Sequence, residues 1–290
     1  MTRRLKVVVA GGGMAGLAVA ALLNRARHAE SMDLTLIDAG PRPVFQSDDD
    51  VGLRVSAISP GSEALLAKSG AWQHVIENRH SSYEHMRVWD ADESADGSST
   101  LCFDADEFAR PHLGTIVENV LVQLALLETL KGSRVELRFA TRVDSVESAD
   151  DGQRLALDQG DELSADLLIA ADGGRSPIRE ALGIGVTRLA YPQSAFVTHV
   201  TPEREHRATA WQRFLPTGPI GLLPLADGRV SVVWSTTPET AARAMDDDDD
   251  ALANALSSAS DYVLGRLQPA GPRGTFPLAA QHADEYVRQG

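Results

Sequence analysis

A run of glycines near the start restricts this chain more than anything else in it. Leu5-Lys6-Val7-Val8-Val9-Ala10 leads without interruption into Gly11-Gly12-Gly13-Met14-Ala15-Gly16-Leu17. The β-branched run reads as a short buried strand, and the alanine- and leucine-rich stretch Leu17 to Leu23 reads as a helix. Gly11, Gly13 and Gly16 stand at G-x-G-x-x-G spacing. The first glycine allows the tight turn, the second lets the backbone approach a pyrophosphate, and the third lets the helix pack on its strand. The phosphates then rest on the free N–H groups of the helix N-terminus. Leu34-Thr35-Leu36-Ile37-Asp38 reads as the next strand, and Asp38 lies 22 residues past Gly16. An acid at that place binds the ribose hydroxyls of a dinucleotide. Strand, turn, helix and acid together predict a dinucleotide site.

Arg3 and Arg4 before an apolar run resemble the start of a secretory signal. Three consecutive glycines split that run, however, and Asn24, Arg25 and Arg27 follow it. No stretch approaches the roughly 18 apolar residues of a membrane span, so the chain reads as cytoplasmic. At 290 residues it is long enough for one large or two ordinary domains, and 43% hydrophobic residues suffice for a core. The single cysteine, Cys102, excludes an internal disulfide and is expected to pack as a small buried hydrophobe in a strand over Thr100 to Phe103. A net charge of −14 argues against nucleic acid as partner.

Pro41-Arg42-Pro43 breaks the chain after the second strand. Arg54 to Ser59 precedes a helix opened by Pro60-Gly61-Ser62, and Arg54 stands where it can reach a pyrophosphate or simply face solvent. Tyr83 to Trp89 and Ser99 to Phe103 form an expected hairpin turning at Asp96-Gly97. A helix is expected over Val120 to Lys131, then strands over Val135 to Phe139, Thr141 to Val146, Arg154 to Asp158 and Ala165 to Ala171. Asp172-Gly173-Gly174-Arg175-Ser176-Pro177 follows, either a ligand-binding strand end or a plain turn capped by Ser176. Beyond Tyr191, four short strands read as an antiparallel sheet: Ala195 to Val200, Thr209 to Leu215, Gly221 to Leu225 and Arg229 to Ser235. The acidic run Asp246 to Asp250 is expected to start a helix carrying Leu252, Leu256, Ala259, Val263 and Leu267, with no metal site. No Ser-His-Asp or paired-carboxylate arrangement stands out, so no catalytic residue is assigned.

Several separated stretches then line up. They are the glycine turn with Asp38, Arg54-Val55-Ser56-Ala57-Ile58-Ser59, and Leu113-Gly114-Thr115-Ile116-Val117-Glu118-Asn119. Ala171 to Arg179, Gln212-Arg213-Phe214-Leu215-Pro216 and Leu223-Pro224-Leu225 complete them. On these residues the chain resembles the flavin-dependent aromatic hydroxylases of the para-hydroxybenzoate hydroxylase fold, and within them the ubiquinone-biosynthesis hydroxylases. The resemblance implies an α/β fold: a Rossmann-like FAD-binding domain with an inserted, mainly antiparallel substrate sheet. The divisions expected are 1–80 and 105–185 for FAD, 81–104 and 186–275 for substrate, and 276–290 as the start of a return to the FAD domain. It implies that Gly11, Gly13, Ala15, Gly16 and Asp38 hold the ADP half of FAD. Arg54 would lie near the phosphates, Asn119 and Gly173 beside the cofactor, Val143 near the adenine, and Asp172 between cofactor and the NAD(P)H donor. Trp211, Arg213 and Phe214 would border the substrate.

The implied chemistry is hydroxylation of a phenolic, prenylated ring with O2 and NAD(P)H, the protein orienting the substrate and excluding water. Association with the inner membrane's periphery, with other enzymes or with a second copy is compatible with it. Family members continue past a point matching Gly290 into a Gly-Asp loop and a long helical segment, so this chain is expected to be C-terminally truncated and to hold mainly the adenylate half of FAD. Two other readings compete: a non-catalytic nucleotide- or partner-binding fragment, and an NAD-dependent dehydrogenase.

Overall fold

The computed structural model describes residues 3–46 and 48–290. In chain order, β1 (Leu5–Ala10), α1 (Met14–Asn24) and β2 (Met32–Ile37) form the opening βαβ unit. Next come β3 (Val55–Ile58), α2 (Pro60–Ser69), α3 (Trp72–Ile76), β4 (His80–Tyr83), β5 (His85–Asp90) and β6 (Leu101–Asp104). β7 (Gly114–Glu118), α4 (Asn119–Leu130), β8 (Glu136–Arg138), β9 (Val143–Ala149), β10 (Gly152–Leu157), β11 (Glu162–Ala165), β12 (Leu167–Ala170) and α5 (Pro177–Ala181) follow. The last part holds β13 (Val186–Pro202), β14 (Thr209–Leu215), β15 (Gly218–Pro224), β16 (Val230–Thr236), α6 (Pro238–Asp246), α7 (Asp249–Ala259) and β17 (Leu267–Ala283).

A parallel sheet of order β12-β1-β2-β8 forms the first unit. Side chains alternate across a strand, so Val7 and Val9 face α1 and α4, packing with Leu17, Ala20, Leu121 and Leu126. Val8 and Ala10 face the other way, onto Val146 and Leu155 of the β11-β10-β9 sheet and Ile178 of α5. Burial on both faces explains why β1 is an unbroken apolar run from Val7 to Ala10. A second unit is a seven-stranded sheet of order β17-β13-β16-β15-β14-β5-β6, antiparallel except for the β14–β5 pair. One face carries Phe196, Ile220, Leu222 and Val232, on which Leu252 and Leu256 of α7 pack. The small β3-β7-β4 sheet lies on the path between the two units. The α/β architecture with a mainly antiparallel second sheet is the one expected. Among the described residues no helix is long and apolar enough to cross a membrane.

Several local expectations are corrected. The helix expected through Leu267 ends at Ala259, because Asp261 and Tyr262 take positive φ (56° and 49°) and the Ser260 hydroxyl bonds back to the Leu256 carbonyl. Leu267, in helical register with the residues before it, instead starts β17. The acidic run spans two helices: Asp246 ends α6, and Asp248 caps α7 by accepting the Ala251 N–H at 2.8 Å. Ala165 to Ala171 is not one strand, since Ala165 ends β11 and Asp166 turns the chain into β12. The Asp166 carboxylate makes that switch by accepting the Lys6 N–H at 2.7 Å. Cys102 is exposed, because β6 is the edge strand of its sheet.

Candidate functional site

The glycine turn lies at the C-terminal end of β1, between the ends of β12 and β2. Gly11 has φ +115°, and a Cβ there would collide with the Ala171 carbonyl at the end of β12. A Cβ on Gly16 would collide with the Gly11 carbonyl, so this glycine holds α1 against the turn. Gly13 differs from both. It is exposed, has ordinary φ (−69°), and a Cβ there would meet nothing within 4 Å. Gly13 is also the N-cap of α1, so no side chain occupies the helix end, and the first turn contains no acid. The positive end of α1 therefore faces open space uncompensated, the arrangement that receives an anion. Ala15 is exposed in this same first turn.

Asp38 faces the turn. Its Oδ2 accepts the Gly12 N–H at 2.5 Å and its Oδ1 the Gly40 N–H at 2.7 Å. A carboxylate accepts about four hydrogen bonds, so each oxygen keeps room for a ribose hydroxyl. Thr141 N–H bonds the Asp38 carbonyl at 2.9 Å, and Val143 packs against the apolar cluster that contains Ile37. Asp172 Oδ2 accepts the Ile178 N–H at 3.3 Å, beside Gly173 with φ +90°. The fold thus brings Gly11, Gly13, Ala15, Gly16, Asp38, Asp172 and Gly173 to one edge, with Val143 behind it. The empty space at Gly13, the bare helix end and the acceptors of Asp38 fit the ADP half of FAD.

Arg54 and Asn119 stand apart from that edge. They line a cleft of about 310 Å³ between the units, with Ser56 on their side and Val197, Ser231, Val233 and Phe276 on the sheet opposite. The Asn119 N–H bonds the Arg54 carbonyl at 3.0 Å, and Ser56 Oγ donates to Asn119 Oδ1 at 2.6 Å. The exposed Arg54 guanidinium has no ion pair among the described residues.

The three residues expected beside the substrate do not gather at this cleft. Trp211 and Arg213 pair with Leu222 and Ile220 and share their helix-covered face. The Arg213 guanidinium donates to the Ser258 and Ala259 carbonyls at 3.3 Å and to the Ala91 carbonyl at 2.7 Å. It closes the end of α7, where backbone acceptors lack helical partners. Phe214 points to the other face, the side of Val233, but is not among the cleft residues.

Four contributions were not anticipated from sequence. Gln123 donates to the Gly12 carbonyl at 3.1 Å, the one polar side chain among the apolar residues from Val120 to Leu127, which is a readable signal. Glu118, 4% exposed, takes Arg79 at 2.9 Å and the Gly52 N–H at 2.7 Å, fixing the loop that carries Arg54. His199 is fully buried, with Nε2 at 3.1 Å from the Gly52 carbonyl and Nδ1 without a partner among the described residues. Burial holds its pKa below the usual histidine value, and the Arg229 charge works the same way. Arg229 bridges Asp50 (2.5 Å) and Asp227 (2.7 Å), which raises its own pKa. Unlike Gln123, the contacts that Glu118, His199 and Arg229 make with Gly52 and Asp50 join distant parts of the chain and leave no local mark in the sequence.

A model of the FAD binding domain matches residues 4–290. The mitochondrial ubiquinone biosynthesis monooxygenase COQ6 of Xenopus tropicalis is 34% identical over 97% of this chain and 69% of its own length. The 3-demethoxyubiquinol 3-hydroxylase of Escherichia coli is 33% identical over 98% of this chain and 71% of its own length. Among solved structures, p-nitrophenol 4-monooxygenase PnpA of Pseudomonas putida superimposes with a TM-score of 0.74 at 17% identity, covering 100% of this chain and 71% of that one. Aklavinone-11 hydroxylase with FAD and aklavinone gives a TM-score of 0.72 at 19% identity, over 100% of this chain and 56% of that one. The chain that carries the glycine turn, its bare helix end and its facing acid thus belongs to the FAD binding domain family, alongside the FAD-dependent monooxygenases of ubiquinone biosynthesis.

Proposed function

We propose that this chain binds FAD and hydroxylates a phenolic ring in ubiquinone biosynthesis, taking electrons from NAD(P)H and oxygen from O2. The observation that carries the reading is the uncompensated N-terminus of α1 behind Gly13, open to a pyrophosphate and opposed by Asp38. Gly11, Gly13, Ala15 and Gly16 would seat the pyrophosphate, Asp38 the ribose, and the residues near Val143 the adenine. Asp172 and Gly173 would flank the cofactor, and Arg54 and Asn119 would meet it from the cleft side. When bound, the flavin supplies the redox chemistry, passing electrons from the nicotinamide to O2. The protein's own part is to bind, orient and keep water away. Val197, Val233 and Phe276 give the cleft an apolar wall, and the free Arg54 guanidinium offsets the charge of the phosphates. In this reading residues 1–80 and 105–185 form the flavin half, and 81–104 with 186–275 the substrate half. A prenylated substrate and a site at the periphery of the inner membrane belong to the same proposal.

The test is a coupled assay. Protein reconstituted with FAD is given NADH or NADPH and a phenolic quinone precursor in aerated buffer. The expected result is consumption of O2 that rises with substrate and a product heavier by one oxygen atom. Flavin bound with no hydroxylated product would favour the non-catalytic nucleotide-binding reading, and absence of bound flavin would overturn both.

A further inference from the structure

A second cavity, of about 560 Å³, opens where β14 meets β5, on the helix-covered side of the seven-stranded sheet. Its apolar wall includes Trp211, Val263 and Leu264. Trp211 is braced edge-on against Trp89, with ring centroids 6.3 Å apart and planes at 89°. Three arginines, Arg87, Arg204 and Arg207, line the same space, in a chain whose net charge is −14.

The three are not equivalent. Arg87 is already engaged: it meets Asp104 at 2.9 Å, and its guanidinium donates to the Met86 and Phe103 carbonyls. His85 Nδ1 meets the same carboxylate at 2.5 Å. Arg204 and Arg207 make no ion pair and no side-chain hydrogen bond among the described residues, and the one acid lining the cavity, Glu205, is exposed. The cavity therefore offers two uncommitted guanidinium groups beside an indole.

The backbone presenting Arg207 is held rather than loose. Arg207 and Ala208 both adopt left-handed φ, 48° and 50°, a conformation disfavoured for residues carrying a Cβ. The His206 ring secures it: Nδ1 accepts the Ala208 N–H at 3.2 Å, and Nε2 donates to the Leu225 carbonyl at 3.2 Å. The Thr209 N–H closes the turn on the His206 carbonyl at 3.0 Å. Non-glycine residues kept in such conformations gather where a chain grips a ligand.

We propose that this cavity binds an aromatic organic oxyanion, its ring against Trp211 and its phosphate or carboxylate between Arg204 and Arg207. The volume falls within the range of small-molecule sites. The guanidinium fork matches an oxyanion, and an indole offers a flat ring a large apolar contact. The site is separate from the flavin cleft, because Trp211 lies on the opposite face of the sheet from Val197 and Val233.

The test uses FAD-saturated protein, so that the nucleotide site is filled, titrated calorimetrically with four probes. These are 1-naphthyl phosphate, 1-naphthoate, uncharged 1-naphthamide and inorganic phosphate. The two naphthyl anions are expected to occupy one site at least tenfold more tightly than either of the others, and less tightly as NaCl is raised. The comparison of phosphate with carboxylate then shows which oxyanion the site prefers. The Arg204→Ala/Arg207→Ala double variant, which removes no side-chain bond among the described residues, should lose at least tenfold in that affinity with FAD affinity and Tm unchanged. Absence of binding by both naphthyl anions overturns the proposal. Undiminished binding in the double variant overturns it too, as does inorganic phosphate binding as tightly as the naphthyl anions.

Discussion

Adding one methyl group distinguishes the glycines of the turn after β1. At Gly11 or Gly16 it would strike protein backbone, whereas at Gly13 it would project into empty space. Selection for glycine at the first two places serves the fold, and at Gly13 it leaves room for something else. His199 carries a different kind of single-residue information. In water a histidine has a pKa near 6.5, and burial here holds it lower. Below about pH 6.5 the unfolded chain therefore takes up a proton that the folded chain resists, and stability falls as pH drops. Above that value the contribution is fully present. Asp50 is held below the usual carboxylate range by Arg229, so its titration lies in more acid solution, outside this window. We predict that Tm falls more between pH 7.5 and 5.5 in the parent than in His199→Gln, which keeps a donor for the Gly52 carbonyl. Equal slopes by scanning calorimetry would remove His199 from the account.

At the scale of elements, Arg213 joins β14 to the end of α7 and to the Ala91 carbonyl. Hydrogen bonds from charged donors contribute about 1.5–3 kcal/mol, so Arg213→Ala is expected to lower stability by about 2 kcal/mol, with FAD affinity unchanged. An unchanged Tm together with lost turnover of a phenolic substrate would return Arg213 to the substrate site. The sequence revealed elements where one physical pattern acted alone. The β-branched run of β1, the Asp96-Gly97 hairpin and the helix after Asn119 are such cases. It failed where two patterns overlapped. Leu252, Leu256, Val263 and Leu267 keep helical spacing, yet Ser260, Asp261 and Tyr262 turn the chain before the pattern ends. Leu101-Cys102-Phe103 has a strand's composition, but composition does not say that the strand is an exposed edge. Likewise the motif containing Arg213 was visible, while the face to which it points depends on its register with β15.

Across the whole molecule, the loop before β3 ties the two units together. Asp50 reaches Arg229, the Gly52 carbonyl meets His199, and the Gly52 N–H meets Glu118. Each contact joins residues 66 or more positions apart, so the cleft's framework was out of reach of local patterns. Most of the edge around the glycine turn comes from residues that follow one another within a single βαβ unit, a pattern readable in the sequence, with Asp172 and Gly173 arriving from far along the chain. The central claim, that this edge receives the pyrophosphate of FAD, is tested most directly by calorimetric titration of the parent and Gly13→Val with FAD. Gly13 has ordinary backbone angles and no neighbour within 4 Å of a Cβ, so the valine should cost the fold only glycine's advantage at a helix N-cap, about 1 kcal/mol. FAD is expected to bind the parent, and the variant to lose at least tenfold in affinity, about 1.4 kcal/mol. Equal affinity for FAD in the two proteins would contradict it.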